Sequence, residues 1–333
     1  MTDLARRGTP LVLALWFAIA STALIVGRVL LGGPFWFGSE AVLGAHAARA
    51  LLAGGNPWTT GFLGAVFTAP PPSLLPYLPF AFLPDEVVAA AWVVIAAGSS
   101  VYAVWKLRLA PYWLAFPPLV AGILTGSPVP LILALLLRAG LGDGIRGVAT
   151  NALAIVLNPS AAIPSLALGR WRAVLLALDI ALLSVPFLAW AAFIGNTGGV
   201  SAAMSAQTNG GLSASVSPGL LVLATVGLVA LGRTRAAWLI VPAIWPNAPL
   251  AYAALALPVL ADMPLVAAAL ASPATPGLIA YGIAAQSGIE GLKLRQRKPA
   301  SRRWAPDDLI AHHERKSRRG AVSGRPVVLD RDR

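Results

Sequence analysis

Long apolar runs are the feature that most constrains what this chain can fold into. Stretches close to the ~20 residues that cross a bilayer recur along it, such as Leu11 to Leu31 and Val87 to Trp105. Because 57% of the 333 residues are hydrophobic and only 11% are charged, the chain holds more apolar surface than a soluble domain could cover. A strand that spans a membrane belongs to a closed barrel and reads as a short alternating segment. The runs therefore predict an all-α, polytopic integral membrane protein.

Several of the predicted spans are interrupted. Pro111 to Leu137 contains TGSPVP, Val148 to Leu168 contains NPS, and Ala236 to Leu260 contains WPNAP. A broken helix exposes unpaired backbone groups, which are acceptable at membrane depth only inside protein or along a wet cavity. We therefore expect a helical bundle of about ten spans, several of them broken, around a partly hydrated interior.

The basic residues predict the orientation of the bundle. Arg6 and Arg7 precede the first span, which favours an uncleaved signal anchor with residues 1–10 in the cytoplasm. The segments 32–68 and 195–217 are then outside loops, and both termini are cytoplasmic in a multi-pass protein of the plasma membrane. Three further pairs of basic residues mark cytoplasmic loops: Arg138 with Arg146, Arg170 with Arg172, and Arg233 with Arg235.

The net charge of +12 comes mainly from the end of the chain, where 13 of the 25 Lys and Arg residues lie between Lys293 and Arg333. A basic segment beside a span is what the positive-inside bias predicts, so a nucleic-acid partner is not expected. High charge and little apolar periodicity predict a largely disordered cytoplasmic tail over 292–333. The transmembrane domain is then 11–291.

A short helix is predicted inside the outside loop 32–68. Ser39, the predicted N-cap, precedes the stretch EAVLGAHAARALLA, which ends at Gly54 and Gly55. Glu40 lies in its first turn and is the only acidic residue in either long outside segment. Two interpretations stay open: the carboxylate complements the positive helix end, worth about 0.3–1 kcal/mol, or it is a base that acts on an acceptor hydroxyl.

Other polar residues have similar alternatives. His46 and Arg49 are spaced i and i+3, so they either contact an anionic phosphate or lie as cations at the headgroup level. Asp179, within LLALDIALL, is either functional or paired with an interior arginine. The chain has no cysteine and no other histidine before the tail, so a metal site is not predicted.

At these residues the chain resembles glycosyltransferase family 87, polyprenol-phosphate-sugar-dependent enzymes of the GT-C superfamily related to bacterial mannosyltransferases. The likeness extends from about Gly38 to Leu260. GSEAVLGAHAARALLAGGNPW is similar to the family's first outside loop, with Glu40 near its Asp and Trp58 at the aromatic of its Gly-Gly-x-Pro-aromatic step. FTAPPPSLLPYLPFAFLP is similar to its Tyr-x-Pro-Pro turn and the span that ends in Leu-Pro.

Some positions depart from the family pattern. TGSPVP is similar to a Gly-Gln-x-Asn step, but Ser127 and Val129 replace its polar residues. Asn158 stands where the family usually has Lys, before a turn with a basic-Trp-Arg sequence. VPAIWPNAPLAYAALALP is similar to a Ser-Pro-x-x-Trp motif and its following span, without the usual His.

The resemblance implies a GT-C-like bundle and inverting transfer of a sugar, with mannose as a candidate, from a polyprenyl-phosphate donor to a hydroxyl of a glycan or glycolipid on the extracytoplasmic face. Glu40 is then the catalytic base. The candidate substrate-binding residues are Arg49, Asn56, Trp58 and Asn158. The lipid-linked sugar phosphate is a substrate, so no cofactor and no metal is expected. Two alternatives stay open: a catalytically inactive relative that binds a lipid-linked glycan or a partner, and a transporter or flippase.

Overall fold

Helices of very different lengths make up the computed structural model of the chain, which describes residues 3–32, 37–139, 144–207, 213–245, 248–272 and 277–297. The α-helices are α1 (Asp3–Gly32), α2 (Ser39–Leu52), α3 (Asp85–Lys106), α4 (Pro117–Thr125), α5 (Val129–Ala139), α6 (Ile145–Leu157), α7 (Ala162–Ala167), α8 (Trp171–Leu183), α9 (Trp190–Gly195), α10 (Thr197–Gln207), α11 (Pro218–Leu231), α12 (Arg233–Ile244), α13 (Leu257–Leu260), α14 (Pro264–Leu270) and α15 (Leu278–Arg297). The chain is mostly helical, as predicted.

Short 3-10 helices and one hairpin fill the connections. Strand β1 (Gly61–Phe62) pairs antiparallel with β2 (Ala65–Val66), and this small hairpin is the one departure from the predicted all-α fold in the part of the chain that the structure describes. The 3-10 helices are Pro57–Thr59, Pro71–Phe80, Pro111–Ala115, Pro159–Ala161, Ala214–Val216 and Leu250–Ala256. Most begin at proline, whose fixed φ and missing N–H suit a first helical position.

Two helices are long and apolar enough to cross a membrane, Thr9–Leu30 within α1 and Asp85–Lys106, which is α3. A third crossing is added if α4 and α5, which are bent by 115° at their junction, count as one span. The apolar helix α6 has 13 residues and is about 20 Å long, which is short of the ~30 Å hydrocarbon core. Helix length among the described residues thus does not confirm about ten spans.

The predicted interruptions are present. TGSPVP lies between α4 and α5, where Gly126 has a φ of 64° and ends α4 in the left-handed conformation. NPS lies between α6 and α7. The third break follows the end of α12 at Ile244, and residues 246–247 of WPNAP lie outside the described ranges.

The buried side chains form two main clusters. The larger one gathers α4 to α8 and α11 to α14, with α1 packed on it through Phe17 against Trp113 and Phe116. The smaller one joins α2 to the Pro71–Phe80 helix and to α3, through the buried Tyr77 and Trp92. The smaller cluster supports the loop that carries Glu40.

The chain divides into two units, Met1–Ser287 and Gly288–Arg333. In the first unit α1 already begins at Asp3, so the predicted cytoplasmic segment 1–10 is largely helical. Of the second unit the structure describes 288–297, the last part of α15. The predicted basic tail lies outside the described residues from 298 onward.

Candidate functional site

The first turn of α2 is held by a close approach of backbone segments. Gly38, not the predicted Ser39, is the N-cap, with a φ of 68° and no side chain that caps the helix. Its N–H donates to the carbonyl of Leu124 over 2.8 Å. A Cβ on Gly38 would lie 2.3 Å from the Cβ of Ala89, so only glycine allows α2 to start this close to α3. This turn places Glu40.

The bend between α4 and α5 lies beside the same turn. A Cβ on Gly126 would lie 3.1 Å from the Cβ of Ala41, so the bend and α2 are in tight contact. The side chains of Ser127 and Thr125 consequently reach Glu40 and form hydrogen bonds with its carboxyl group. Ser127, which replaces a larger polar residue of the family pattern, is therefore a neighbour of the predicted base.

Burial determines the protonation of Glu40. Desolvation raises the pKa of the Glu40 carboxyl, and this effect exceeds the opposing effects of Ser127, Thr125 and the charge of Arg28. The Thr125 hydroxyl also lies 3.0 Å from the carbonyl oxygen of Ala121, so its single proton has two competing acceptors. Glu40 thus holds a proton more tightly than an exposed glutamate does, as suits a general base.

Glu40 lines a cavity of about 390 Å³, a volume typical of small-molecule sites. Its walls come from α2, β2, the Pro71–Phe80 helix, α9, α10 and the breaks that follow α6 and α12. The aromatic lining residues are Phe67, Tyr77, Phe193, Trp245 and Tyr252. The lining residues with polar side chains, apart from the two tyrosines, are Glu40, Thr68, Ser73, Asn158 and Ser160. A largely apolar wall with a few polar groups suits an amphipathic ligand.

Tyr77 presents a neutral phenol to this cavity. Its ring stacks on Trp92 with the centroids 4.8 Å apart, and it is buried. A phenol has an ordinary pKa of about 10, and burial favours its neutral form. The Tyr77 hydroxyl therefore stays protonated and can donate a hydrogen bond to a ligand.

Asn158 lines the cavity, as a substrate-binding residue should, but its side chain already has partners. Its Oδ1 accepts from the N–H of Ser160 over 3.0 Å, and its Nδ2 donates to the hydroxyl of Tyr252. Asn158 therefore caps the Pro159–Ala161 helix and orients Tyr252. Its role in binding substrate stays a prediction.

Ser160 is a cavity residue that was not predicted from the sequence. Ser160 is buried, and its Oγ has no hydrogen-bond partner among the residues that the structure describes. A buried hydroxyl without a partner costs free energy, so a ligand group that reached the Ser160 Oγ would satisfy it. The sequence signal was a serine directly after the Asn-Pro cap.

Asn56 and Trp58 support the cavity wall from behind. Asn56 accepts the N–H of Trp58 over 3.0 Å and so caps the Pro57–Thr59 helix. Trp58 donates from Nε1 to the carbonyl of Ala69 over 2.8 Å, and its ring packs 5.1 Å from that of Phe193. Ala69 and Phe193 line the cavity, whereas Asn56 and Trp58 do not. Direct contact of these two residues with substrate stays a prediction.

Arg49 lies away from the cavity lining and joins α2 to the start of α3. It donates to Asp85 over 2.7 Å and to the carbonyls of Ala81 and Leu83 over 2.9 and 2.6 Å. His46 contacts the other carboxylate oxygen of Asp85 at 2.8 Å. The observed partners of Arg49 are therefore protein groups, and its predicted contact with a phosphate has no counterpart in the cavity.

Arg28 is the basic residue whose charge acts on Glu40. It lies near the end of α1, and the signal in the sequence was an arginine inside an apolar span, a costly position that often marks a functional site. Asp179 is exposed on α8 and does not line the cavity. The described residues contain no cluster of three His, Cys, Asp or Glu side chains that could hold a metal ion.

No family model, curated protein or solved structure matches this chain.

Proposed function

We propose that this chain is a membrane glycosyltransferase that moves a sugar from a polyprenyl-phosphate donor to a hydroxyl of a glycan or glycolipid. The observation that carries the proposal is the carboxyl of Glu40, which lines a cavity of about 390 Å³ beside two hydroxyls and has a raised pKa. The resemblance of the segments around Glu40 to glycosyltransferase family 87 supports the same reaction class, with mannose as the first sugar to test.

A lipid environment accounts for the apolar surface of the bundle. Large apolar side chains are exposed on many helices, including Leu11 on α1, Val94 on α3 and Val229 on α11. Burying one such side chain is worth about 1.5–3 kcal/mol, so contiguous exposure to water would be costly. We therefore place the chain in the plasma membrane, with about ten spans, several of them broken into the shorter helices.

The basic loops support an outward-facing cavity. Pro128, just before α5, lines the cavity, and Arg138 lies near the far end of that helix. Helix α6 runs the other way, from near Arg146 to Leu157 at the cavity. The arginines thus lie at the end of these helices that is remote from the cavity. The positive-inside bias assigns that end to the cytoplasm, and the cavity to the extracytoplasmic face.

The proposed reaction is a single displacement with inversion. The acceptor oxygen forms a bond to the anomeric carbon while the bond from that carbon to the donor phosphate oxygen breaks, and polyprenyl phosphate leaves with the electron pair. Glu40 takes the proton of the acceptor hydroxyl, as a positioned general base. No Lys or Arg lines the cavity among the described residues, so the hydroxyls of Ser160 and Tyr77 are the proposed partners of the leaving phosphate.

Turnover is the direct test. The full chain in proteoliposomes is supplied with a labelled polyprenyl-phosphate mannose, or another polyprenyl-phosphate hexose, and with membrane glycolipids as acceptors. We expect labelled glycolipid with an inverted anomeric configuration. Absence of transfer with every donor, in a protein that still binds one of them, would contradict the enzymatic proposal.

One alternative function has an observation in its favour. The described cavity lining has no cation, and Asn158 stands where the family usually has Lys, which favours a protein that binds a lipid-linked glycan without chemistry. Binding without turnover would support that alternative. The transporter alternative rests on the broken spans and on Asp179; of these, Asp179 lies on the exposed surface of α8 and not in the cavity lining.

A further inference from the structure

A second, polar cavity of about 90 Å³ lies at the turn between α7 and α8 and shares no lining residue with the cavity that Glu40 lines. Its lining includes Asn151 from α6 and the consecutive residues Arg170, Trp171 and Arg172. No carboxylate is found in its lining among the described residues. The cavity is therefore positively charged and large enough for a phosphate-sized group.

Arg170 is partly buried without a charged partner. Its Nη1 donates to Oδ1 of Asn151 over 3.0 Å and to the carbonyl of Leu136 over 3.3 Å. Its Nε is buried and has no partner in the described part of the chain. Burial lowers the pKa of Arg170, with no carboxylate acting against it. A partly buried guanidinium with an unpaired N–H is costly, and an anion in the cavity would offset the cost.

Two more guanidinium groups and a helix end surround the same turn. Arg172 lies over the ring of Trp171, with Cζ 5.6 Å from the centroid. Arg233 donates to the carbonyl of Ala167 over 2.5 Å, and its Nη2 is 3.8 Å from the position that a Cβ on Gly169 would occupy. No side chain caps α8, so its first amides and its positive end face the turn. Such a convergence is typical of an anion site.

An apolar stripe leads away from this cavity along α8. Its members recur at intervals of four, three and four residues, so they share one face of the helix. They are Trp171, Leu175, Leu178 and Leu182, which are 55%, 49%, 52% and 60% exposed. Asp179, the carboxylate of this helix, lies about 10 Å along the axis from Arg172 and about 80° round from the stripe. A tryptophan beside arginines is characteristic of the headgroup level of a bilayer.

We propose that the cavity binds the phosphate group of an anionic membrane lipid, whose acyl chain lies along the stripe on α8. A free phosphate ion would satisfy the arginines but would make no use of the stripe. The proposal depends on the membrane location of the chain and not on sugar transfer. The site lies at the predicted cytoplasmic end, so it acts on a leaflet other than the one that supplies the donor.

Lipid retention tests the proposal. The full chain is transferred from detergent into nanodiscs of phosphatidylcholine with or without phosphatidylglycerol. The protein is then delipidated, and the lipid molecules that stay bound to it are counted by native mass spectrometry. We expect retention of phosphatidylglycerol over phosphatidylcholine by the wild type, and about fivefold weaker retention by Arg172→Gln. The matched control Arg146→Gln removes a nearby exposed arginine that does not line the cavity, and it should retain the lipid as the wild type does.

A second variant and a competitor give the decisive outcomes. Arg170→Gln should lose phosphatidylglycerol at least as strongly as Arg172→Gln does, and its unfolding temperature in phosphatidylcholine alone reports whether it folds. Wild-type retention by folded forms of both variants would overturn the proposal. Displacement of the lipid by millimolar inorganic phosphate would also overturn it, because the stripe would then contribute nothing.

Discussion

Gly38 donates its backbone N–H to the carbonyl of Leu124 over 2.8 Å, and this bond joins the start of α2 to the end of α4. Glu40 lies two residues after Gly38, and Ser127 lies three residues after Leu124. The side chain of Ser127 bonds to the Glu40 carboxyl. The position of the proposed base is therefore determined by backbone packing, and mutations of the backbone contact should change activity as well as stability.

Gly38→Ala should lower the free energy of unfolding by about 2–4 kcal/mol, because the left-handed φ is strained for alanine and the new Cβ would overlap Ala89. The matched control is Gly54→Ala, which has a φ of 74° but no atom within 4 Å of its Cβ position. That control should lose only about 1–2 kcal/mol. Denaturant unfolding in detergent measures both. Equal losses would show that α2 and α3 are not in the close contact described above.

Glu40→Gln should reduce the rate of sugar transfer by about 10²–10⁴-fold, because an amide cannot take the proton from the hydroxyl of the acceptor. Its stability at neutral pH should equal or exceed that of the wild type. The folded-state pKa of Glu40 is raised, so its stabilising effect is present at low pH and lost as the pH rises through that pKa. Initial rates in proteoliposomes and thermal unfolding are the measurements. Glu86→Gln, an exposed acid on α3, is the control and should be fully active.

The pH dependence of transfer should follow the ionisation of Glu40. Since only the carboxylate is a base, kcat/KM should rise with pH through a pKa above that of an ordinary glutamate. Ser127→Ala removes a hydrogen bond that lowers the pKa, so the rising limb should move to higher pH. Ser100→Ala, a buried serine whose hydroxyl donates to Ala96, should leave the limb unchanged. A shift to lower pH in Ser127→Ala would contradict the assignment.

Ser160→Ala should raise KM for the lipid donor about fivefold, because the hydroxyl without a protein partner would lose its bond to substrate. The free energy of unfolding should stay the same or increase, since no bond within the protein is lost. Ser165→Ala is a suitable control because its buried hydroxyl already donates to Ala161 over 2.8 Å. An unchanged KM in Ser160→Ala would remove Ser160 from the donor site.

Arg49 and Asp85 should be coupled in stability rather than in catalysis. Their side chains are 33% and 36% exposed, so a double-mutant cycle with Arg49→Gln and Asp85→Asn should give a coupling energy of about 0.5–1 kcal/mol. KM for the donor should change less than twofold in Arg49→Gln. A tenfold increase in KM with normal stability would instead support the contact with phosphate predicted from the sequence.

Local features of the chain were predictable from the sequence. The short helix in the first long loop is confirmed as α2, because Ser39 and the Gly54-Gly55 pair are strong boundary signals. Its start differs by one residue, since the capping position depends on the φ of Gly38. The breaks at TGSPVP and NPS follow directly from glycine and proline chemistry. The same breaks explain why fewer helices reach the length of a membrane span than the apolar runs predict, because those runs continue through turns that divide the helices.

The partners of the candidate residues were not predictable. Asn196 donates to the carbonyl of Trp58 across 138 positions of the chain, and Asn158 bonds to Tyr252 across 94 positions. Helical periodicity indicates which residues share a face but not which faces meet. Ser127 illustrates the point, because a small hydroxyl in a turn has no sequence signature that connects it to Glu40.

The shortness of α6 has a consequence for how substrates would arrive. Its 13 residues separate the cavity from the end that carries Arg146 by about 20 Å, whereas the hydrocarbon core of a bilayer is ~30 Å thick. With Arg146 level with the inner headgroups, Leu157 at the cavity end of α6 would lie roughly 10 Å beneath the outer ones. A sugar would then have to descend into the membrane to react, so the bilayer near the cavity would thin or dimple to meet it.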